Sequence, residues 1–246
     1  MPTESSTAQT TRVQPAWQRG LTQATPIILG YVPIGFAYGV MAQKSGLSTA
    51  HTVGMSLIVY AGASQFIATG LFAAGIPALS IVITTFVVNL RHMLMSAAMA
   101  PHLKTWTKPQ LTAFAYELTD ETFAVHAARF AGHKPDRAEV FWINALAQMA
   151  WVTGSYLGTV GGQVVPDPKP WGLDFALPAL FVALLVLQIR DRLQIGIALA
   201  TGVLAVTFTI WGLDRWAVIL ATLVGATLGV IWEQWTKTRS HKTRSY

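Results

Sequence analysis

Two apolar segments follow one another in GASQFIATGLFAAGIPALSIVITTFVVNLRHMLMSAAMAP, residues 62–101. Between residues 45 and 90 the chain contains no Lys, Arg, Asp or Glu. A bilayer core about 30 Å thick is crossed by about 20 apolar residues in a helix. The stretch therefore predicts two membrane crossings, and Gly75 and Pro77 place the break between them.

A cluster of polar residues lies late in the second of these crossings and contains Asn89, Arg91 and His92. Such residues are costly in a membrane unless they face water, a substrate or a partner, so they form the first candidate site. Arg91 alone has a simpler explanation, because a long basic side chain near a helix end can reach the interface.

A second polar patch lies in the preceding crossing. It consists of Gly62, Ser64, Gln65 and Phe66. The hydroxyl and amide groups of this patch have two interpretations of equal weight. They either join helices to one another or contact a substrate.

The composition is typical of a membrane protein. Hydrophobic residues make up 52% of the 246 residues and charged residues only 11%, against about 25% charged residues in soluble domains. This predicts an all-α integral membrane protein with one transmembrane domain (21–235), a flexible cytoplasmic N-terminus (1–20) and a basic cytoplasmic tail (236–246).

The chain has no cysteine, which excludes disulfides and thiolate metal sites; no cofactor or metal is predicted. The basic residues lie in loops and tails, as the positive-inside rule expects, so no nucleic-acid partner is predicted.

Seven segments are typical of membrane crossings, and an acidic eighth segment is ambiguous. The seven are Leu21–Gln43, Thr52–Ala74, Pro77–Met99, Val140–Pro166, Leu173–Ile189, Leu193–Trp211 and Trp216–Trp232. Two cytoplasmic termini require an even number of crossings, which favours eight, with a re-entrant segment near Gly62–Pro77 as the alternative.

Three crossings precede the acidic segment and three close the chain, and each triplet opens on a helix interrupted by proline, Pro33 or Pro178. This polytopic arrangement is consistent with a 3+3 inverted repeat of Pro/Gly-interrupted helices.

Proline and glycine crowd the middle of the first crossing, GYVPIGFAYG at 30–39. One interpretation is a kinked, tightly packed helix, because Pro33 removes a backbone hydrogen bond and the glycines allow close approach. The other is a discontinuous helix whose exposed backbone groups hold a substrate. In that case Pro33, Gly35 and Phe36 line the site, together with Pro178 of the later crossing.

The ambiguous segment, Leu111–Phe130, carries three carboxylates on one helical side, because Glu117 precedes Asp120 by three residues and Glu121 by four. It has three interpretations. The first is an amphipathic surface helix with a solvated acidic face, and the second is a membrane-inserted helix whose carboxylates take up and release protons. In the third, Thr119 caps a helix restart with Asp120 and Glu121 in the first turn, which gives two half-helices.

Five motifs resemble, in order, those of the AzlC family of branched-chain amino acid exporters. They are GYVPIGFAYGVMA (30–42), YAGASQF (60–66), VVNLRHMLMSAAMAP (87–101), LTDETFA (118–124) and GLDFALPALF (172–181). The resemblance runs from Pro26 to Trp232. It implies the large subunit of a secondary exporter of leucine, isoleucine, valine and often methionine in the bacterial cytoplasmic (inner) membrane, driven by the proton gradient. It also implies a partner, a small membrane protein of the AzlD family.

We expect the carboxylate of an amino acid to bind Arg91 or the free N–H groups of a broken helix, and its aliphatic side chain to contact phenylalanines. The expected substrate-binding residues are Pro33, Gly35, Phe36, Gly62, Ser64, Gln65, Phe66, Asn89, Arg91 and Pro178. Asp120 and Glu121 are expected to couple transport to protons, and His92 is the second choice because imidazole titrates near neutral pH.

The sequence gives less support to two other classes of function. An enzyme is not expected, because Ser64 lacks a GxSxG context, and there is no GxxxxGK[ST] loop for ATP. The neighbouring carboxylates Asp120 and Glu121 point about 100° apart on a helix, so they do not converge on one bond. The alternative function is a channel or membrane-assembly subunit for another small molecule.

Overall fold

The computed structural model of the protein is built from α-helices. The structure describes residues 14–130, 136–164, 191–213 and 217–243, together with scattered residues between 132 and 189. No β-strand occurs among these residues, which confirms the prediction of an all-α membrane protein. The chain divides into two compact units, Met1–Phe181 and Val182–Tyr246.

The helices with defined bounds follow in chain order. In the first unit they are α1 (Ala16–Lys44), α2 (Thr49–Ile58), α3 (Gly62–Ala73), α4 (Ala78–Met99), a 3₁₀ turn (Ala100–His102), α5 (Lys108–Tyr116), α6 (Asp120–Phe130) and α7 (Arg137–Val164). In the second unit they are α8 (Arg192–Ile210) and α9 (Ala217–Thr243). Helix α1 begins inside the predicted flexible N-terminus and α9 continues into the predicted tail, so both ends are more helical than expected.

Within the described ranges, three helices are long and apolar enough to cross a membrane: Ala16–Lys44, Ala78–His102 and Arg192–Ile210. Leu220–Trp232 is a shorter apolar helix. The segment predicted to cross at Thr52–Ala74 is divided between α2 and α3. The total of seven or eight crossings and the inverted repeat therefore stay predictions.

Helix α1 is continuous through Pro26 and Pro33. The interpretation of a discontinuous helix at Pro33 is therefore wrong, and the tightly packed helix is found instead. The reason is that a neighbouring helix can hold a proline-containing membrane helix together, and α7 packs along α1 here. Pro178 also has helical backbone, but most of the crossing that contains it lies outside the described residues.

The break that was expected at a proline lies instead between α2 and α3. Helix α2 ends at Ile58, and α3 begins at Gly62 without a side-chain cap on its N-terminus. Between them Tyr60 has a φ of +42°, which is uncommon for a bulky residue. The next break is where the sequence placed it, at Gly75 with a φ of +69° and Pro77.

The acidic segment forms two half-helices, α5 and α6, as the third interpretation predicted. The Thr122 backbone N–H donates to Thr119 Oγ1 at 3.3 Å, so Thr119 caps the restart. Asp120 and Glu121 then occupy the first turn of α6, where the helix dipole stabilises negatively charged side chains. The interpretation as one surface helix with a solvated acidic face is wrong, because the Asp120 side chain is only 17% exposed.

Glycines bring the backbones of α1 and α7 into direct contact. A Cβ atom on Gly39 would lie 2.2 Å from the Ser155 carbonyl oxygen, and one on Gly158 would lie 2.1 Å from that of Phe36. Small residues at this spacing are the usual means of helix association in lipid, where apolar side chains gain nothing by leaving the solvent. Tyr38 and Trp151 complete the buried core beside this crossing.

The second unit is a helical hairpin of α8 and α9. The Asp191 side chain caps α8 by accepting from the Gln194 N–H at 2.8 Å. Thr201 of α8 packs directly against Gly225 of α9. A Cβ atom on Gly225 would lie 2.0 Å from Thr201 Oγ1, so the contact has no room for a larger residue. Helix α8 contains no buried residue, which suits a helix surrounded by lipid or by another membrane protein.

Replacing Gly39 by alanine should destabilise the folded protein, because the new Cβ meets backbone rather than a flexible side chain. We expect a cost of about 1–3 kcal/mol, as for other overpacked cores, and a lower midpoint of thermal unfolding in detergent. Gly30→Ala is the matched control on the same helix, because nothing lies within 4 Å of its Cβ position. Equal melting temperatures for the two variants would show that the crossing is looser than described.

Candidate functional site

The two helix breaks of the first unit lie side by side. The Tyr116 hydroxyl, at the end of α5, donates to the Leu57 carbonyl oxygen near the end of α2. Gln148 of α7 holds the pair, because its Nε2 lies 2.9 Å from the Tyr116 hydroxyl and 3.4 Å from the Leu57 oxygen. Broken helices in membranes leave backbone groups available for ligands, so this meeting point is the candidate site.

Tyr31 of α1 binds the restart of α6. Its buried hydroxyl lies 2.5 Å from Glu121 Oε2 and 2.7 Å from Thr119 Oγ1. A tyrosine hydroxyl bound to a carboxylate is a charge-assisted hydrogen bond, stronger than one between neutral groups. Glu121 is therefore bound by the neutral hydroxyl group of Tyr31, and no basic side chain in the described part of the chain forms a hydrogen bond with it.

Asp120, the neighbour of Glu121, has a different partner. Its Oδ2 lies 3.0 Å from Arg91 Nη2 of α4, and the two side chains are 17% and 27% exposed. Arg91 therefore pairs with a carboxylate and does not simply extend to the interface. Its Nε is buried without a hydrogen-bond partner.

The two polar patches found in the sequence do meet. The Ser64 hydroxyl of α3 donates to Asn89 Oδ1 of α4 at 2.5 Å. His92 turns back on its own helix, with Nδ1 3.1 Å from the Asn89 carbonyl oxygen. The patches thus place α3, α4 and the start of α6 around one region.

The side-chain amide of Gln65 joins helices to one another. Its Oε1 accepts from Trp151 Nε1 at 2.9 Å, and its Nε2 donates to Ser56 Oγ at 3.0 Å. Ser56 donates to Ser155 Oγ at 2.7 Å, and Ser155 donates to the Trp151 carbonyl oxygen at 2.8 Å. This closed ring joins α2, α3 and α7 and engages both polar atoms of the Gln65 side chain.

Several buried polar side-chain atoms make no hydrogen bond, and some of them lie at the site. In the described part of the chain, the buried side-chain atoms without a partner are Gln43 Oε1, Tyr60 Oη, Arg91 Nε, Glu117 Oε2, His126 Nδ1 and Asn144 Nδ2. Buried polar groups are nearly always paired, so each exception needs an explanation. Tyr60 and Glu117 lie in the two breaks, where a small polar ligand would supply the missing partners.

The remaining predicted residues are exposed or pack against other helices. Pro33 and Pro178 are exposed, and Gly35 belongs to the contact between α1 and α7. Phe36 packs over Gly161, and Gly62 lies under the Trp151 ring. Phe66 contacts Tyr38 edge to face, with ring centroids 5.6 Å apart.

Sequence reasoning did not select the tyrosines of the site. Tyr31, Tyr60 and Tyr116 are three of only six tyrosines in the chain, and all three lie at or beside the breaks. The signal in the sequence that could have identified such a residue is a hydroxyl group in an otherwise apolar crossing. The acidic side of Leu111–Phe130 includes Glu117, whereas the residues predicted to couple transport to protons do not.

Among the described residues, no group of three or more His, Cys, Asp or Glu side chains could hold a metal ion. The site is therefore described by its organic groups: carboxylates, one guanidinium, hydroxyls and helix ends.

Tyr31→Phe should destabilise the protein, because it removes the partner of a half-buried carboxylate. The expected cost is about 2 kcal/mol, the range of hydrogen bonds to charged groups, measured by thermal unfolding in detergent. Tyr60→Phe is the matched control, since the Tyr60 hydroxyl makes no hydrogen bond and its removal should leave stability unchanged. A larger loss from Tyr60→Phe than from Tyr31→Phe would contradict the described network.

Comparisons with known proteins agree on one family. The model of the AzlC protein family matches residues 26–165. An uncharacterized membrane protein of Archaeoglobus fulgidus is 31% identical, covering 86% of this chain and 93% of that protein. The inner membrane protein YgaZ of Escherichia coli is 28% identical over 93% of this chain and 94% of its own length.

A third relative carries a functional name. The branched-chain amino acid transport protein AzlC of Bacillus subtilis is 24% identical, over 88% of this chain and 84% of that protein. No solved structure matches the chain. The family model covers more than half of the sequence, and the helices of the structure are those of a membrane protein; the chain belongs to the AzlC family of membrane transport proteins.

Proposed function

We propose that this protein is the large subunit of a proton-coupled exporter of branched-chain amino acids. The observation that carries the proposal is the meeting of two broken helices around buried polar groups without partners. The name of the Bacillus subtilis relative, a branched-chain amino acid transport protein, supports the substrate class. Leucine, isoleucine and valine are the expected substrates, with methionine as a further candidate.

The unpaired groups at the breaks complement a zwitterion. Arg91 Nε and the Tyr60 hydroxyl can donate to a carboxylate, and Glu117 Oε2 can accept from an ammonium group. The N-terminus of α3 at Gly62 has no side-chain cap, so its N–H groups and helix dipole also favour a carboxylate. The hydrogen bond between Ser64 and Asn89 joins α3 to α4 at the end of the site that would bind the carboxylate. Phe66 packs in the buried core next to this end.

Glu121 is the preferred proton carrier. It is bound by the hydroxyl group of Tyr31, so that gaining or losing a proton breaks no ion pair. Asp120 is bound to Arg91, and its protonation would break that contact. We therefore assign the coupling proton to Glu121 before Asp120, and His92 remains the second choice.

A small AzlD-like membrane subunit is the proposed partner, in the bacterial inner membrane and with both termini of this chain in the cytoplasm. Helix α4 offers a broad apolar surface to lipid or to such a subunit. Its most exposed apolar side chains are Leu79, Val82, Phe86, Met93 and Leu94. The E. coli relative is named an inner membrane protein, which supports this location.

The proposal is tested by efflux from cells loaded with branched-chain dipeptides. The chain is expressed alone and together with a small membrane protein of the AzlD family, with and without an uncoupler. Uncoupler-sensitive efflux of leucine, isoleucine or valine that needs both chains is the expected result. Efflux that does not saturate with any amino acid would favour the alternative function, a channel for another small molecule.

Glu121→Gln should abolish the effect of a proton gradient on leucine efflux, because the amide keeps a hydrogen bond to Tyr31 but carries no exchangeable charge. Efflux should fall to the level that wild-type protein shows with uncoupler. Asp191→Asn is the matched control, since asparagine caps helices as well as aspartate does and removes one charge in the other unit. Gradient-dependent efflux by the Glu121→Gln variant would exclude Glu121 as the carrier.

Arg91→Lys should separate folding from substrate binding. A lysine ammonium can keep the contact with Asp120 but cannot present a second donor in the rigid fork of a guanidinium. We expect a normally folded protein whose KM for leucine rises about tenfold, as for the loss of one charge-assisted hydrogen bond. An unchanged KM would mean that the substrate carboxylate binds elsewhere, with α3 as the next candidate.

A further inference from the structure

Contacts between helix ends show in which direction each long helix of the first unit crosses the membrane. Arg19 in the first turn of α1 binds Glu139 in the first turn of α7, with Arg19 Nε 3.0 Å from Glu139 Oε2. Farther along, Gly39 of α1 packs against Gly158 of α7, so the two helices run in the same direction. They contain 29 and 28 residues and are about 44 and 42 Å long, enough to cross a bilayer core of about 30 Å. Both cross from the face at which α1 begins, here called the N-terminal face, to the opposite face.

Helix α4 crosses in the other direction. Met99 at its C-terminal end lies in one apolar cluster with Phe130 and with Val140, which is in the first turn of α7. The end of α4 is therefore at the N-terminal face. Because its 22 residues extend about 33 Å, its start at Ala78 is at the opposite face.

Helices α2 and α3 form a re-entrant hairpin, here called the first hairpin, which enters and leaves the membrane at the opposite face. The pair connects the end of α1 to the start of α4, and both of these points lie at that face. The helices contain 10 and 12 residues, so each reaches through about half of the bilayer core, and Tyr60 is at the tip. A hydrogen bond of 3.0 Å from Gln65 Nε2 to Ser56 Oγ crosses the tip. In a straight helix these two residues would be about 14 Å apart along the axis, too far for this contact.

Helices α5 and α6 form the second hairpin, which enters from the N-terminal face. Just before α5, the Thr105 carbonyl oxygen accepts from Arg137 Nη2 at the start of α7, at 2.7 Å. At the end of α6, Arg129 binds Glu139 in the first turn of α7, so both ends of the hairpin lie beside the start of α7. Its helices contain 9 and 11 residues, which again reach through about half of the core, and Glu117 is at the tip.

Basic residues identify the N-terminal face as the cytoplasmic face. Eight Lys and Arg residues occur between residues 14 and 164. Arg91 lies within α4 and Lys44 at the opposite face. The other six lie at the N-terminal face and are Arg19, Lys104, Lys108, Arg129, Lys134 and Arg137. Cytoplasmic segments of membrane proteins carry an excess of Lys and Arg, so the second hairpin enters from the cytoplasm and the first hairpin from the outside.

The tips of the two hairpins meet near the middle of the membrane. The Tyr116 hydroxyl of the second hairpin donates to the Leu57 carbonyl oxygen of the first. Tyr31, halfway along α1, binds Glu121 just beyond the second tip, with the hydroxyl 2.5 Å from Oε2. The candidate site therefore lies at the tips, with one hairpin between it and each face of the membrane.

The two hairpins differ in how they are attached to α1 and α7. The first hairpin belongs to the core of these helices, because Tyr60 and Phe66 pack in one apolar cluster with Trp151. Phe114 and Leu118 of the second hairpin lie in a separate apolar cluster. The second hairpin can therefore move with less disturbance of the core around α1 and α7.

Polar contacts hold the second hairpin against α7 between its base and its tip. His126 Nε2 lies 2.7 Å from Asn144 Oδ1, and Gln148 Nε2 lies 2.9 Å from the Tyr116 hydroxyl. Water can replace the partner in such contacts, so their net contribution to stability is small. The backbone contact between α1 and α7 has no such replacement.

We propose that the second hairpin is the cytoplasmic gate of the transport site, and that it swings about its base so that its tip moves away from α7 to admit the substrate. The role as a gate rests on the proposed function, whereas the entry faces of the two hairpins rest on the contacts and charges alone. In the closed arrangement the Tyr60 hydroxyl and Glu117 Oε2 are buried without partners. Water supplies partners when the gate is open and an amino acid supplies them when the closed site is occupied, so the closed, empty arrangement carries a cost that the other two avoid.

The entry faces are tested by labelling single cysteines, which is direct because the chain has no cysteine of its own. The variants are Ala74→Cys between α3 and α4 and Thr105→Cys between α4 and α5, expressed with the small membrane subunit in spheroplasts and treated with a membrane-impermeant maleimide. We expect intact spheroplasts to label Ala74→Cys, and Thr105→Cys to react only after the membrane is permeabilised. Ala50→Cys at the start of α2 is the matched control, since it is outside whether or not the first hairpin is re-entrant. The reverse pattern at 74 and 105 would show that α2 and α3 cross the membrane, and it would overturn the proposal.

The gate is tested by joining the tip of the second hairpin to α7. In the double variant Tyr116→Cys and Gln148→Cys, a bismaleimide with a reducible spacer links the two thiols. We expect this link to abolish leucine efflux, and cleavage of the spacer by a reductant to restore it. Each single-cysteine variant, treated in the same way, is the control for attachment of the reagent alone.

A second pair of substitutions distinguishes the two hairpins. The hydroxyl oxygens of Ser56 and Ser155 are 2.7 Å apart, so Ser56→Cys with Ser155→Cys allows a disulfide between α2 and α7. Efflux should persist with this disulfide, because the first hairpin stays with α7.

Each other outcome has a defined meaning. Normal efflux with the link between the thiols at 116 and 148 would overturn the gate, and so would equal loss of efflux from the disulfide between 56 and 155, which would mean that the first hairpin moves as well. Absence of leucine efflux from cells with the wild-type protein would instead refute the proposed function and the gate with it, while the labelling pattern would still decide the entry faces.

Discussion

The backbone contact between α1 and α7 is the constraint on which the rest of the first unit depends. In lipid, helices gain little by burying apolar side chains, so close contact must supply the energy of association. Gly39 and Gly158 make that contact possible and leave no room for a Cβ atom on either helix. The two helices cannot move apart without losing this backbone contact. The side chains of α1 and α7 that bind the other helices therefore have fixed positions.

The same two helices provide the polar side chains that organise the breaks. Tyr31 of α1 binds the start of α6, Gln148 of α7 holds the ends of α2 and α5, and Trp151 of α7 belongs to the ring around Gln65. Backbone groups freed by a broken helix must find partners within a membrane protein, since lipid offers none. The rigid pair of α1 and α7 thus supports two interrupted helices that could not be stable alone.

The capping of the two restarts differs. Helix α6 begins with the side chain of Thr119 on its N-terminus, whereas α3 begins at Gly62 without a side-chain cap. A capped N-terminus has part of its hydrogen-bonding capacity satisfied, while an uncapped one keeps its donors for a ligand. This difference favours α3 as the end that meets an anionic group and α6 as the end that carries the acidic side chains.

The sequence predicted those features that depend on local chemistry. Pro77 and Gly75 marked a true break, Thr119 with two acidic residues marked a true restart, and the apolar segments gave the fold class. Pro33 was misleading, because its effect on α1 depends on the helix beside it. No residue around Tyr60 indicated its positive φ, because that backbone conformation is typical of glycine and uncommon for a bulky side chain. The pairing of Arg91 with Asp120 joins separate helices, and no local pattern encodes such a contact.

One short acidic segment supplies three carboxylates with three different surroundings. Asp120 is bound to a guanidinium, Glu121 to a tyrosine hydroxyl, and Glu117 has an oxygen with no partner. The helix break separates Glu117 from the other two, and the angle between neighbouring residues in α6 turns Asp120 and Glu121 to different helices. An unpaired carboxylate oxygen in a protein interior costs free energy. Under the proposed function, the ammonium group of the substrate removes this cost while it is bound to Glu117, so the break that is unfavourable in the empty protein favours binding of a cationic group.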